Sequence, residues 1–181
     1  MKNNLLFLFL ITTFFLFNEN KLHANDLIFN TAEIKILNNG NTIVTTDGTV
    51  NSSDNKIMLK AKSFNYDKTT EILNAKNGTA LLVEKRIEIK ANKFIYNKNL
   101  STIEATGNVE IKDLDKNITI KSQNISYYNF EQIIKSETKS TIKNNFNNFF
   151  TTSNFVYTIN DHLVKITDGK LTDAQKNIIA R

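Results

Sequence analysis

Four tyrosines set the frame of this chain: Tyr66, Tyr96, Tyr127 and Tyr157, spaced 30, 31 and 30 residues apart. Phe64, Phe94, Ile125 and Phe155 stand two residues before them, and Ala61, Ala91, Ser122 and Thr152 five residues before. Further upstream "IMLKA", "IEIKA" and "ITIKS" align at Ile57, Ile87 and Ile118, and "LIFNTAEIKI" fits one period earlier with Leu27 and Phe29. Gly48, Gly78, Gly107 and Gly169 fall at the matching place in the second half of a unit, and they are four of only five glycines. A unit of about 30 residues cannot bury an apolar face alone, so such units stack.

Each unit reads as two strands. In Ile87-Glu88-Ile89-Lys90-Ala91 apolar and polar residues alternate, as a half-buried strand requires. Phe94 and Tyr96 have the opposite parity, so a corner near residue 92 is needed to bring both sets to one side. The second strand, "STIEATGNVEI", places Ile103, Ala105, Val109 and Ile111 on one side and bends at Gly107. Polar segments such as "YNKNL" and "DLDKN" close the turns, and the chain has no proline to interrupt a ladder. The expected class is all-β: bent strands stacked into a repeat-built jellyroll, a "β-taco", around an open apolar groove.

The first residues have another use. Lys2, an apolar run from Leu5 to Phe17 and the small-residue site at Leu22-His23-Ala24 have the layout of a secretory signal peptide. The expected division is a signal over 1–24, cleaved or kept as an anchor, and one domain of about five units over 25–181. The run is short for a membrane span, which needs about 20 residues. With no cysteine, the exported domain must be held by backbone pairing and apolar burial. The net charge is +5 and the lysines are spread along the chain, which favours a solvated surface over a nucleic-acid patch.

The pattern "IxIxAxxFxYN … IxAxGNVxI" (Ile87, Ile89, Ala91, Phe94, Tyr96, Asn97, then Ile103, Ala105, Gly107, Asn108, Val109, Ile111) resembles the OstA-like N-terminal domain family of lipopolysaccharide-transport proteins. That group comprises the LptA, LptC and LptD types. The unit "IIKSETKSTIK" lacks the glycine and looks like the later turns of the soluble LptD-type head. The resemblance implies lipid A acyl chains bound in the groove, edge-to-edge joining to other Lpt-type jellyrolls by strand addition, outer-membrane assembly machinery as a partner, and a periplasmic location. It implies no catalysis and no cofactor.

The expected groove lining is Ile57, Leu59, Ala61, Ile87, Ile89, Ala91, Ile103, Ala105, Val109, Ile111, Ile118 and Ile120; the expected edge contacts are Leu27, Phe29, Ile178 and Ile179. "NIIAR" at Asn177–Arg181 reads as the first strand of a further unit, to be paired by a partner or continued in a longer chain. Two histidines give transition-metal and triad chemistry too few ligands. His162, beside Asp161, is read as a solvated turn residue. Asp67, Asn97 and Asn129 follow the tyrosines and read as turn residues rather than a cation ladder. The rival reading is a structural β-solenoid, an adhesin-like stalk with a packed interior and no lipid.

Overall fold

A computed structural model describes residues 27–146, 148–172 and 178–180. The signal segment 1–24 therefore lies outside the described residues. Seven long strands come first: β1 (Leu27–Leu37), β2 (Thr42–Ser52), β3 (Ile57–Asp67), β4 (Ile72–Leu82), β5 (Ile87–Asn97), β6 (Thr102–Asp113) and β7 (Ile118–Tyr128). Shorter ones follow: β8 (Ile133–Ser136), β9 (Ser140–Lys143), β10 (Phe149–Thr152), β11 (Asn154–Thr158), β12 (Leu163–Thr167), β13 (Lys170–Thr172) and β14 (Ile178–Ala180). All pairings are antiparallel and sequential from β1 to β7. The all-β fold expected from the alternation is what forms. Among the described residues no helix is long and apolar enough to cross a membrane.

Every long strand turns a corner at its middle, and the ladders show how, beginning with Ala32 skipped in β1. Thr46 pairs Ser63 and Gly48 pairs Ala61, which leaves Asp47 and Lys62 outside the ladder. Asn77 and Asn92 are skipped in the same way, as are Gly107, Asn108 and Gln123. One extra residue reverses the side-chain parity, so Ile87, Ile89 and Ala91 share an inner side with Phe94 and Tyr96; β6 inserts two, Gly107 and Asn108, and so keeps Ile103, Ala105, Val109 and Ile111 on one side. Asp47, Asn77 and Asn108 take the left-handed conformation at this corner (φ 41°, 53° and 50°), a region Asn and Asp enter more easily than most. Gly78 is small for another reason. A Cβ there would lie 2.3 Å from the Lys60 carbonyl oxygen and 2.7 Å from Ala61 Cβ. Gly107 needs its own positive φ of 78°.

Where the glycine pattern lapses, the bend becomes a break. β8 and β9 both pair β7, one along each half. The sheet then divides into an arm running through β8, β11 and β12 and another through β9, β10, β13 and β14. At the break Ser122, Ser136, Thr138 and Ser140 bond one another through hydroxyls 2.9–3.0 Å apart. Hydroxyls there occupy the place that alanine and glycine hold in earlier units.

Candidate functional site

The corner folds the sheet so that its two arms face each other. One inner wall is aliphatic, with Val50, Ile57, Leu59, Leu82, Ile87, Ile89, Val109, Ile111 and Ile120. The other carries the aromatic ladder Phe64–Tyr66, Phe94–Tyr96, Ile125–Tyr127 and Phe155–Tyr157, with Leu73 and Ile103 between its rungs. Ala61, Ala91 and Ala105 sit at or near the crease between the walls. All are buried, at no more than 7% exposure, and Ile118 packs against them half-buried. In this state the walls close on each other, so the expected lining residues form one apolar core rather than the floor of an open trough.

The lining expected from the sequence is mostly the aliphatic wall and omits the aromatic wall opposite. The parity reversal near residue 92 was its signal: once the corner is accepted, Phe94 and Tyr96 must face Ile87 and Ile89.

The mouth lies where the free ends of the arms meet. One lip is made of the turns after β2, β4 and β6, the other of the turns after β3, β5, β7 and β11. Backbone hydrogen bonds run along each lip, such as Val83 N–H to Lys56 O and Lys98 N–H to Glu71 O. Among the described residues none crosses between them. Side chains hold the lips together. Lys85 donates to Asn160 Oδ1 at 2.9 Å. Asp113, whose side chain has no exposed surface, accepts a short hydrogen bond from the Tyr157 hydroxyl and meets His162 Nδ1 at 2.8 Å. Its other oxygen accepts from the amides of Asp115 and Lys116 at 2.9 and 2.8 Å.

Burial by itself would raise the Asp113 pKa, but these hydrogen bonds hold it below the ordinary carboxylate value. Burial pushes Tyr96 and Tyr127 up to about 12, and Tyr157 is also raised, by burial and then by its bond to Asp113. These three hydroxyls are therefore neutral at pH 7. His162 is thus not a solvated turn residue as the sequence suggested. The element that meets it from the opposite lip is 49 residues away, beyond the reach of local pattern.

The turn reading of Asp67, Asn97 and Asn129 holds. Asp67 Oδ1 accepts from the Thr69 and Thr70 amides, Asn97 Oδ1 from the Leu100 amide, and Asn129 Oδ1 from the Tyr127 hydroxyl. No group of three or more metal-ligating side chains occurs among the described residues.

The lips meet with a stagger: the ring of Phe29, on the aliphatic arm of β1, faces Tyr66 of β3 at 6.0 Å between centroids. The first rungs of the aromatic arm are therefore left without a wall opposite. Ile34 and Ile36 pair Thr45 and Ile43 and so face inward, yet they are 48% and 63% exposed. The interior is bare at this end. Leu27 and Phe29 pack half-buried against the core beside it. Ile178 and Ile179 lie in β14, paired to β13, and their side chains lie outside the described residues.

No family model and no curated protein matches the chain. Solved structures do. One is LptH of Pseudomonas aeruginosa, the LptA-homologous periplasmic component of its lipopolysaccharide transport device, at 11% identity over 87% of this chain and 90% of that one, with a TM-score of 0.32. Another is the TCP10 domain of Danio rerio CPAP in complex with a STIL peptide, at 12% identity over 86% and 98%, with a TM-score of 0.17. Scores this low carry no argument about function. The fold stands on the strand register above.

Proposed function

We propose that this chain is a non-enzymatic carrier scaffold of the lipopolysaccharide pathway, acting in the periplasm on the way to the outer membrane. It receives the acyl chains of lipid A between its aliphatic and aromatic walls and joins other jellyrolls edge to edge. The carrying observation is the apolar interior of a sheet that side chains alone hold shut. Parting the lips breaks a handful of side-chain bonds and no ladder. The two walls then offer acyl chains a surface worth about 0.8 kcal/mol per buried methylene, which repays the wall-to-wall contact they displace. Binding spread over many weak contacts lets a chain slide. A passive groove supplies no direction, so energy for transport comes from elsewhere.

The bare end at Ile34 and Ile36, on the free edge strand β1, is where a neighbouring jellyroll would continue the sheet. Partners of this kind are other Lpt-type jellyrolls and the assembly machinery of the outer membrane. Edge strand β14, with Ile178 and Ile179, would take the opposite neighbour.

One observation favours the structural rival, a stalk module without cargo: the interior is filled by its own side chains. Photo-crosslinking separates the two. Benzoylphenylalanine at Ile89 or Val109 is expected to capture lipopolysaccharide in cells, while Glu88 and Glu110 on the outer face are not. Capture at the outer positions only would reverse the faces. No capture anywhere, with no lipid in the mass spectrum of the extracted protein, would leave the stalk.

A further inference from the structure

The residues that the ladders skip at the corner form a surface feature of their own. Asp47, Lys62, Asn77, Asn92 and Asn108 stand in a row across β2 to β6, on the outer side of the crease and away from the interior. With Lys60, Lys90 and Thr79 they line a cavity of about 620 Å³ whose floor is the small column Gly48, Ala61, Gly78 and Ala91. A second cavity of about 370 Å³ shares Asn108 and continues the groove past Lys121 to Lys139.

Its charge is one-sided. Lys60, Lys90 and Lys121 recur at the same place in successive units, every second strand, so they lie about 9.6 Å apart. Lys76 and Lys93 flank the groove and face each other directly across the β4–β5 pair, a placement that repels. Among the described residues none of Lys60, Lys62, Lys76, Lys90 and Lys93 makes an ion pair. Glu110, cross-strand from Lys90, is engaged by Lys112 at 3.0 Å and Lys121 at 3.3 Å. Asp47, at the first end, is the one acid of the larger cavity. No aromatic ring lines either cavity, so there is no platform for stacking a sugar or a base. Cations at regular spacing, amides between them and a floor of small residues match a row of phosphate groups.

We propose that this corner groove binds a phosphate-bearing polyanion, held by Lys60, Lys62 and Lys90 with the side chains of Asn77, Asn92 and Asn108. It is independent of the interior, on the opposite face of the sheet. The phosphates come either from a soluble polyanion or from headgroups at a membrane.

The test uses the full chain with two probes: short-chain inorganic polyphosphate by calorimetry, and co-flotation with phosphatidylglycerol–phosphatidylcholine vesicles against phosphatidylcholine alone. The triple variant Lys60→Gln, Lys62→Gln, Lys90→Gln should weaken binding about tenfold or more. A variant of equal charge loss elsewhere, Lys35→Gln, Lys116→Gln, Lys165→Gln, should bind as the unsubstituted protein does. Asn92→Asp, which places an anion in the row without removing a lysine, should also weaken it. Melting curves of each variant confirm the fold. Binding of polyphosphate with this pattern supports the site with a soluble ligand, and binding of anionic vesicles alone supports it with headgroups. Equal weakening by the two triple variants would reduce the effect to net charge and overturn the proposal, as would failure of both probes to bind.

Discussion

Asp113 carries much of the closure of the mouth. Its carboxylate collects four donors, two from its own turn and two from the opposite lip. Because its folded pKa lies below the ordinary value, its stabilisation is complete above the unfolded-state pKa of about 4 and is lost as pH falls through the folded value. Lowering the pH through that window should lower the melting temperature of the native protein more steeply than that of Asp113→Asn, which has no carboxylate to titrate. At pH 7, Asp113→Ala should cost about 1–3 kcal/mol in a urea titration, because the Tyr157 hydroxyl loses its buried acceptor. Asp67 and Asn97 could be read from sequence because an Asx side chain caps its own turn. His162 could not. Its partner is brought to it only by the folding of the sheet, and its role rests on where Asp113 arrives.

At the level of strands the repeat spells out the bend. The glycines of the even strands and the alanines of the odd ones interlock in one column, Gly48–Ala61–Gly78–Ala91. Gly78→Val should destabilise by about 1–3 kcal/mol in chemical unfolding, since the added atoms run into the backbone of β3 and cannot be relieved by a rotamer change. The edge strand behaves differently. Ile36→Lys changes an inward but largely exposed side chain, so the melting temperature should stay within a few degrees, while any concentration-dependent assembly through β1, read by sedimentation, should fall. A drop in stability as large as that of a core truncation such as Phe94→Ala, about 3–5 kcal/mol, would show that β1 is part of the core and not a free edge.

For the molecule as a whole the decisive feature is that it closes without becoming a barrel. Backbone pairing runs from β1 to β7 and then forks into two arms that do not rejoin among the described residues, and the mouth is shut by side chains from two lips. A chain without cysteine lends itself to a direct check. With Lys85→Cys and Asn160→Cys, whose native side chains bond across the mouth, a short bismaleimide, adding to both thiols, should lock the lips. Lipid recovered with the locked protein should then fall several-fold relative to the uncrosslinked variant. Unchanged loading would mean that acyl chains enter from the bare end beside Ile34 and Ile36 and not through the mouth.

The 30-residue period, the alternation within each unit and the parity reversal at residue 92 sufficed to specify bent strands with one apolar side, because side-chain direction in a strand is dictated locally by the pleat. The choice between an open trough and a closed one was not in the sequence. It depends on how far apart the arms stand and how their lips are staggered, which are distances between residues such as Phe29 and Tyr66, or Asp113 and His162, on strands far apart in the chain. That spacing buries the aliphatic wall against the aromatic one, pairs Asp113 with Tyr157 and His162, and leaves Ile34 and Ile36 with nothing to face.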